Sequence, residues 1–181
     1  MRKHLISAVL AGAMLAFVLP AFSPVSAQTA GWKNWTWKRY RIKFKLPASW
    51  RVTKNNAGAF IAKGPNVVMK IGPWRSRSDT SVSVARKALN SYTIIKNKRV
   101  LRRKALRRGS SGLNRYMLYG KAKYNGRGRS NGKPVRFGIV GMTNPKSVVN
   151  LYVRMWWYEG KSNTSKNNRD TYKIATSFRT Y

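Results

Sequence analysis

Hardly any basic side chain in this sequence can find an acidic partner within it. Its 38 Lys and Arg stand against three acids, Asp79, Glu159 and Asp170, and there is no cysteine. Ion-pair networks and disulfides are closed to such a chain as ways of holding a fold. What remains is burial of apolar surface behind hydrogen-bonded backbone. The pattern of apolar residues therefore decides the architecture.

Residues 1–27 read as a secretory signal peptide. Arg2 and Lys3 precede an apolar run from Leu5 to Leu19, Pro20 breaks it, and Val25-Ser26-Ala27 offers small residues for cleavage. The run is shorter than the ~20 residues a spanning helix needs, which weighs against a retained anchor. The expected product is periplasmic or secreted and begins near Gln28. A chain of that size buries roughly two-thirds of its unfolded surface as one domain.

After a lead over 28–36, strict alternation begins. Tyr40, Ile42, Phe44 and Leu46 are separated by Arg41, Lys43 and Lys45, the signature of a half-buried strand. Pro47 stops it, and Asn55 to Gly58 reads as a hairpin break. Short strands follow over 59–62 and 67–71. Val82, Ala85, Leu89 and Tyr92 recur at helical spacing over about 80–93, with Ser78 or Asp79 as N-cap. The run from Lys96 to Arg108 is densely basic, and its apolar residues keep neither period; it is assigned to a twisted strand. Tyr116 to Tyr124 and Val135 to Ile139 alternate around the glycine-rich loop 125–132. Val149, Leu151, Val153, Met155 and Trp157 form the longest apolar face, the mark of a central strand. A closing helix over about 166–179 turns Ile174, Ala175 and Phe178 inward. Strands, a helix, more strands and a final helix make one α+β domain on a mostly antiparallel sheet.

The segment Ile42-Lys43-Phe44-Lys45-Leu46-Pro47-Ala48-Ser49-Trp50 resembles the "F-x-LP-x-x-W" entry of PsbP/Mog1-like domains, and the C-terminal Ile174-Ala175-Thr176-Ser177-Phe178-Arg179 is similar to their last helix. The resemblance spans 37–181. It implies an antiparallel sheet sandwiched by helices, and an accessory or binding protein with no enzymatic activity. No functional residue carries over, because one fold serves many partners.

The only histidine is His4, inside the leader. The three carboxylates have no paired spacing, so the mature chain is poorly supplied with general acids or bases. No metal-ligand set and no cofactor motif is expected. Asp79 reads as a helix cap, Glu159 as a strand-end charge and Asp170 as a helix residue near Arg169 and Lys173.

The charge points instead to polyanions: nucleic acid, lipopolysaccharide or acidic polysaccharide. One candidate surface is Trp32, Trp35, Trp37, Arg39, Arg41 and Lys43. Extending the alternation backwards puts Trp35 and Trp37 on the same face as Arg39, Arg41, Lys43 and Lys45, where indoles would stack beside cations. A bulge would instead bury both indoles. A second candidate is the run Lys96, Lys98, Arg99, Arg102, Arg103, Lys104, Arg107 and Arg108, whose plainer reading is a solvated basic strand. Arg127 and Arg129 in the loop are a third. Trp156 and Trp157 are assigned to core and sheet packing. Two further readings fit the same composition. One is an envelope accessory module binding an acidic protein, with the basic charge suited to an acidic habitat; the other is contact with an anionic membrane surface. A chain with three carboxylates has little stability to lose as pH falls.

Overall fold

The computed structural model describes residues 31–76, 78–107, 111–144, 149–160 and 162–181. The leader 1–27 and Arg108 lie outside them. In chain order the elements are β1 (Trp32–Trp37), a single 3-10 turn (Lys38–Tyr40), β2 (Ile42–Pro47), β3 (Arg51–Asn55), β4 (Phe60–Gly64), β5 (Val67–Trp74), α1 (Ser81–Asn90), β6 (Ile95–Leu106), β7 (Asn114–Tyr124), β8 (Pro134–Thr143), β9 (Asn150–Tyr158), α2 (Thr164–Ser177) and β10 (Arg179–Thr180). Seven strands form an antiparallel sheet in the order β3-β4-β5-β9-β8-β7-β6, and β1, β2 and β10 form a second, three-stranded sheet. The fold is α+β, as expected.

β9 occupies the middle of the large sheet. Its alternation explains why: Leu151, Val153, Met155 and Trp157 are fully buried on one face, while Tyr152, Trp156 and Tyr158 are half-buried on the other. The first face packs under the small sheet and α2, where Phe44, Phe60 and Phe178 interlock with ring centroids 4.9 Å apart. The second face is covered by α1 over β7, β8 and β9. Gly141 lets α1 approach, because a Cβ there would collide with the Ser81 carbonyl oxygen and the Ala85 backbone. The helix buries Val84, Ala85, Ala88 and Leu89, one step round from the expected stripe, with Val82 and Tyr92 only half-buried.

Three expectations need correction. β1 begins at Trp32 and pairs fully with β2, so the lead over 28–36 holds part of the fold. The first strand does not run unbroken from Tyr40: the 3-10 turn and Arg41, at φ 50°, interrupt it, and β2 starts at Ile42. The strand expected over 67–71 does not stop there: β5 continues through Gly72-Pro73 to Trp74. Pro73 lies beyond Ile71, the last β5 residue paired with β4, and keeps a neighbour only on the β9 side, at Leu151.

The N-cap of α1 is Thr80, whose hydroxyl accepts from the Ser83 N–H, in place of Ser78 or Asp79. Asp79 sits just outside the helix. Its carboxylate accepts from Lys87 Nζ, Trp74 Nε1 and Ser83 Oγ, each at 2.7 Å. The Lys87 ammonium first, then the indole and hydroxyl, hold this carboxyl well below the usual range. In the unfolded chain it protonates near the ordinary ~3.9. Its stabilisation is therefore complete above that pH and is lost as pH falls below it. Asp79→Asn is expected to lower the thermal midpoint at pH 7. The gap to the parent should narrow between pH 5 and 2; thermal unfolding across that range tests this, and a constant gap would exclude the charge as the cause.

Candidate functional site

The end of α2, the β10 tail and the end of β6 converge on the outer face of β2. There they enclose a cleft of about 530 Å³, lined in part by Lys43, Lys45, Arg107, Arg115 and Arg179. Asn34, Thr36, Ser111, Thr176 and Ser177 supply its other polar groups, and no acid contributes to it. Register builds this surface. Thr36 lies opposite Lys43 and Asn34 opposite Lys45, while Arg179 of β10 pairs with Lys43 from the other side. The Lys43 ammonium stands 4.6 Å from the centroid of the Tyr181 ring. Cations converging in a concave, acid-free wall focus positive potential outward.

Arg115 organises the cleft from behind. It is 6% exposed. Its Nη1 donates to the carbonyls of Thr176 at 2.7 Å, Phe178 at 2.9 Å and Ala175 at 3.4 Å, and its Nη2 to that of Arg107 at 2.7 Å. One guanidinium thus ties the last turn of α2, the start of the β10 tail and the end of β6, and lays its charge on the negative end of the helix dipole. Burial lowers its proton affinity.

The predicted residues divide. Lys43 and Arg107, from two separate candidate segments, meet in the cleft. Trp37 does not join them: it is 3% exposed, its Nε1 bonds the Asn56 carbonyl at 3.0 Å, and it packs edge-on to Tyr40 at 4.4 Å. Trp35 is half-buried against Phe60. Both indoles lie on the core side, in register with Phe44 and Ile42, so the exposed stacking face on Trp35 and Trp37 is withdrawn. The left-handed Arg41 and the turn before it reverse the expected register, and Arg39 and Arg41 are exposed on that turn. Trp32 is half-buried beneath the Lys173 ammonium, 5.6 Å from its ring centroid.

The basic run is not one footprint. It forms edge strand β6, with register shifts between Lys96 and Arg99 and between Val100 and Arg102. These bulges explain the broken periodicity, and together with the charge they shield an open edge from pairing. The cations point different ways. Arg99, Arg102 and Lys104 share the α2 face, Arg103 lies on the α1 face, and Lys96 is exposed near the strand's start. Lys98 donates to the carbonyls of Leu89 at 2.8 Å and Asn90 at 3.0 Å, and so closes α1. Lys104 bonds the Tyr172 hydroxyl at 2.8 Å beside a groove of about 560 Å³. Arg127 and Arg129 stand exposed at the opposite end of the β7–β8 hairpin.

All three acids are engaged. Asp79 holds Lys87; Glu159 holds Arg136 at 2.5 Å and Lys121 at 3.3 Å; Asp170, a helix residue as expected, holds Lys166 at 2.6 Å. Among the described residues no three His, Cys, Asp or Glu side chains gather as a metal group, and no helix is long and apolar enough to cross a membrane. Sequence reading missed Arg115 and Arg179, whose roles arise only from contacts between distant segments.

No protein-family model matches the chain, and comparison with curated proteins gives no match. Solved structures do match. The cyanobacterial PsbP protein (CyanoP) of Synechocystis superposes with a TM-score of 0.54 at 13% identity, over 90% of this chain and 99% of that one. The Ran-binding protein Mog1p of Saccharomyces cerevisiae superposes with a TM-score of 0.57 at 6% identity, over 84% of this chain and 96% of its own. The chain has the PsbP/Mog1-like fold. At these identities the likeness establishes architecture and leaves the cleft's chemistry to this chain's own residues.

Arg115→Met would leave the carbonyls of Thr176, Phe178 and Arg107 without their donor. A loss of about 2–4 kcal/mol in urea unfolding is expected. Arg115→Lys keeps the charge but cannot span these acceptors, and should fall between. Equal stability of all three proteins would deny the guanidinium its organising role.

Proposed function

We propose that this chain is an exported, non-enzymatic binding protein that docks on polyanions through the Lys43–Arg107–Arg179 cleft. The observation that supports it best is the convergence of cations from β2, β6 and β10 on one acid-free concavity. With every side-chain carboxylate already engaged in an ion pair, most of the remaining cations stand exposed without an acidic partner, apart from those such as Arg115, Lys98 and Arg154 that bond backbone carbonyls. Export rests on the sequence of residues 1–27. The absence of a free carboxylate pair, cysteine or histidine in the mature chain supports the non-enzymatic reading. Binding here is mainly release of counterions from the polymer, so affinity falls steeply with salt.

A second reading uses the same cations on an acidic protein. It is favoured by the fold, which serves a protein partner in the Ran-binding protein Mog1p.

The test is binding of single-stranded DNA, lipopolysaccharide and heparin at several salt concentrations, by the parent and by a Lys43→Gln/Arg107→Gln/Arg179→Gln variant. For single-stranded DNA the slope of log affinity against log salt should become shallower by roughly 2, at about 0.7 for each phosphate no longer neutralised. An unchanged slope for every polymer removes the cleft from polyanion binding. No binding by the parent at about 150 mM salt transfers the cleft to the protein-partner reading.

A further inference from the structure

The sheet face beneath α1 is only half covered. The helix ends over Arg154, whose Nε donates to the Ala88 carbonyl at 3.0 Å and whose guanidinium bonds Ser91 Oγ at 2.6 Å while stacking on Tyr92 and Tyr152. Trp156 and Tyr158 lie two and four residues further along β9, beyond the helix end. They meet Tyr124 from the end of β7 in a three-ring cluster. Trp156 stands 4.9 Å from Tyr124 and 5.3 Å from Tyr158, centroid to centroid. All three rings are half-buried, packed at the margin of the core beneath α1.

Cations frame this cluster on both sides. In register across the sheet, Trp156 lies opposite Val68, Val68 opposite Lys63, and Lys63 opposite Arg51. One row along, Lys70 lies opposite Arg154. Neighbouring strands are about 4.8 Å apart, so Lys63 stands roughly 10 Å from the indole on the same face. Arg51, Lys63 and Lys70 are exposed, and β3, β4, β5 and β9 contain no acid. On the other side the hairpin loop backs onto the Tyr124 ring at Gly126 and carries exposed Arg127 and Arg129.

We infer that this open half-face is a second binding site, a stacking platform for single-stranded nucleic acid, with bases on the Tyr124–Trp156–Tyr158 cluster and phosphates on Lys63, Lys70 and the loop arginines. Partly exposed aromatic rings on an antiparallel sheet, flanked by cations and free of acid, suit unpaired bases, whose π faces are open. A duplex keeps its bases stacked internally and reaches only the cations. A sulfated polysaccharide lacks flat aromatic faces and likewise reads the charge alone. The site lies on a different surface from the cleft, so either assignment can fail without the other.

The experiment compares the parent with Trp156→Leu and Trp156→Phe for oligothymidylate, duplex DNA and heparin at about 150 mM salt, with thermal unfolding as a check on folding. Trp156→Leu should weaken oligothymidylate binding about 5- to 150-fold, the range for loss of one base–aromatic stack. Duplex and heparin affinities should stay unchanged, and Trp156→Phe should keep most of the parent's affinity. An unchanged oligothymidylate affinity, an equal loss for all three polymers, or no oligothymidylate binding by the parent overturns the proposal. Should Trp156→Leu fail to fold, Tyr158→Leu carries the same comparison. Lys63→Gln/Lys70→Gln, which leaves the rings in place, should then weaken oligothymidylate as well.

Discussion

Buried cations in this protein are neutralised largely by backbone carbonyls. Three carboxylates cannot serve them all, and the main chain's own dipoles stand in. Arg115 closes the last turn of α2 through Ala175 and Thr176. Lys98 closes α1 through Leu89 and Asn90, and Arg154 reaches the same helix at Ala88. Each cation meets the end where the helix dipole is negative and orphan carbonyls need donors. Both helices are thereby pinned to the large sheet at their C-termini. Each of these groups is partly desolvated, and its proton affinity is lowered for that reason first. The arrangement gives these charges hydrogen-bond acceptors, through both terminal nitrogens in the case of Arg115, while consuming none of the scarce acids.

The positions of both candidate surfaces follow from this pinning. Where Arg115 gathers the ends of α2 and β6 and the β10 tail, Lys43, Arg107 and Arg179 come within one concavity. Where Arg154 halts α1 midway along β9, the rest of that sheet face stays open with its aromatic rings and lysines. The carboxylates do separate work: Asp79 at the start of α1, Glu159 at the end of β9, and Asp170 within α2. None lines the cleft, and none lies on the strands of the open half-face.

The PsbP/Mog1-like architecture therefore acts here as a frame for charge. Its core is ordinary: two faces of a seven-stranded sheet, one under a helix and the other under a helix and a small sheet. What distinguishes this chain is the set of side chains on the outside. Edge strand β6 shows that such charge has more than one use. Its lysines and arginines spread over both faces of an open edge and guard it against pairing, so density along the chain alone does not mark a site.

Alternation and spacing carried much of the fold without help. The apolar stripe of 149–157 marked the central strand, because only a strand buried on its core face by neighbours on both sides can use five large apolar residues at period two. The helix over 80–93 and the closing helix were legible for the same reason, and the scarcity of acids indicated outward-facing charge. Other features were decided only by tertiary structure. The register of Trp35 and Trp37 depended on one left-handed residue, Arg41, which local pattern does not reveal. The period of β6 was hidden by two bulges that form only against β7. The cleft required Arg179 to pair with Lys43 from the far end of the chain, and the partial exposure of Trp156 depended on where α1 stops. Sequence by itself determined what must be buried and the sign of what is left outside, because both follow from residue type and period. Which of the outward groups meet was settled by long-range strand pairing and helix placement, because those join residues that no local pattern relates.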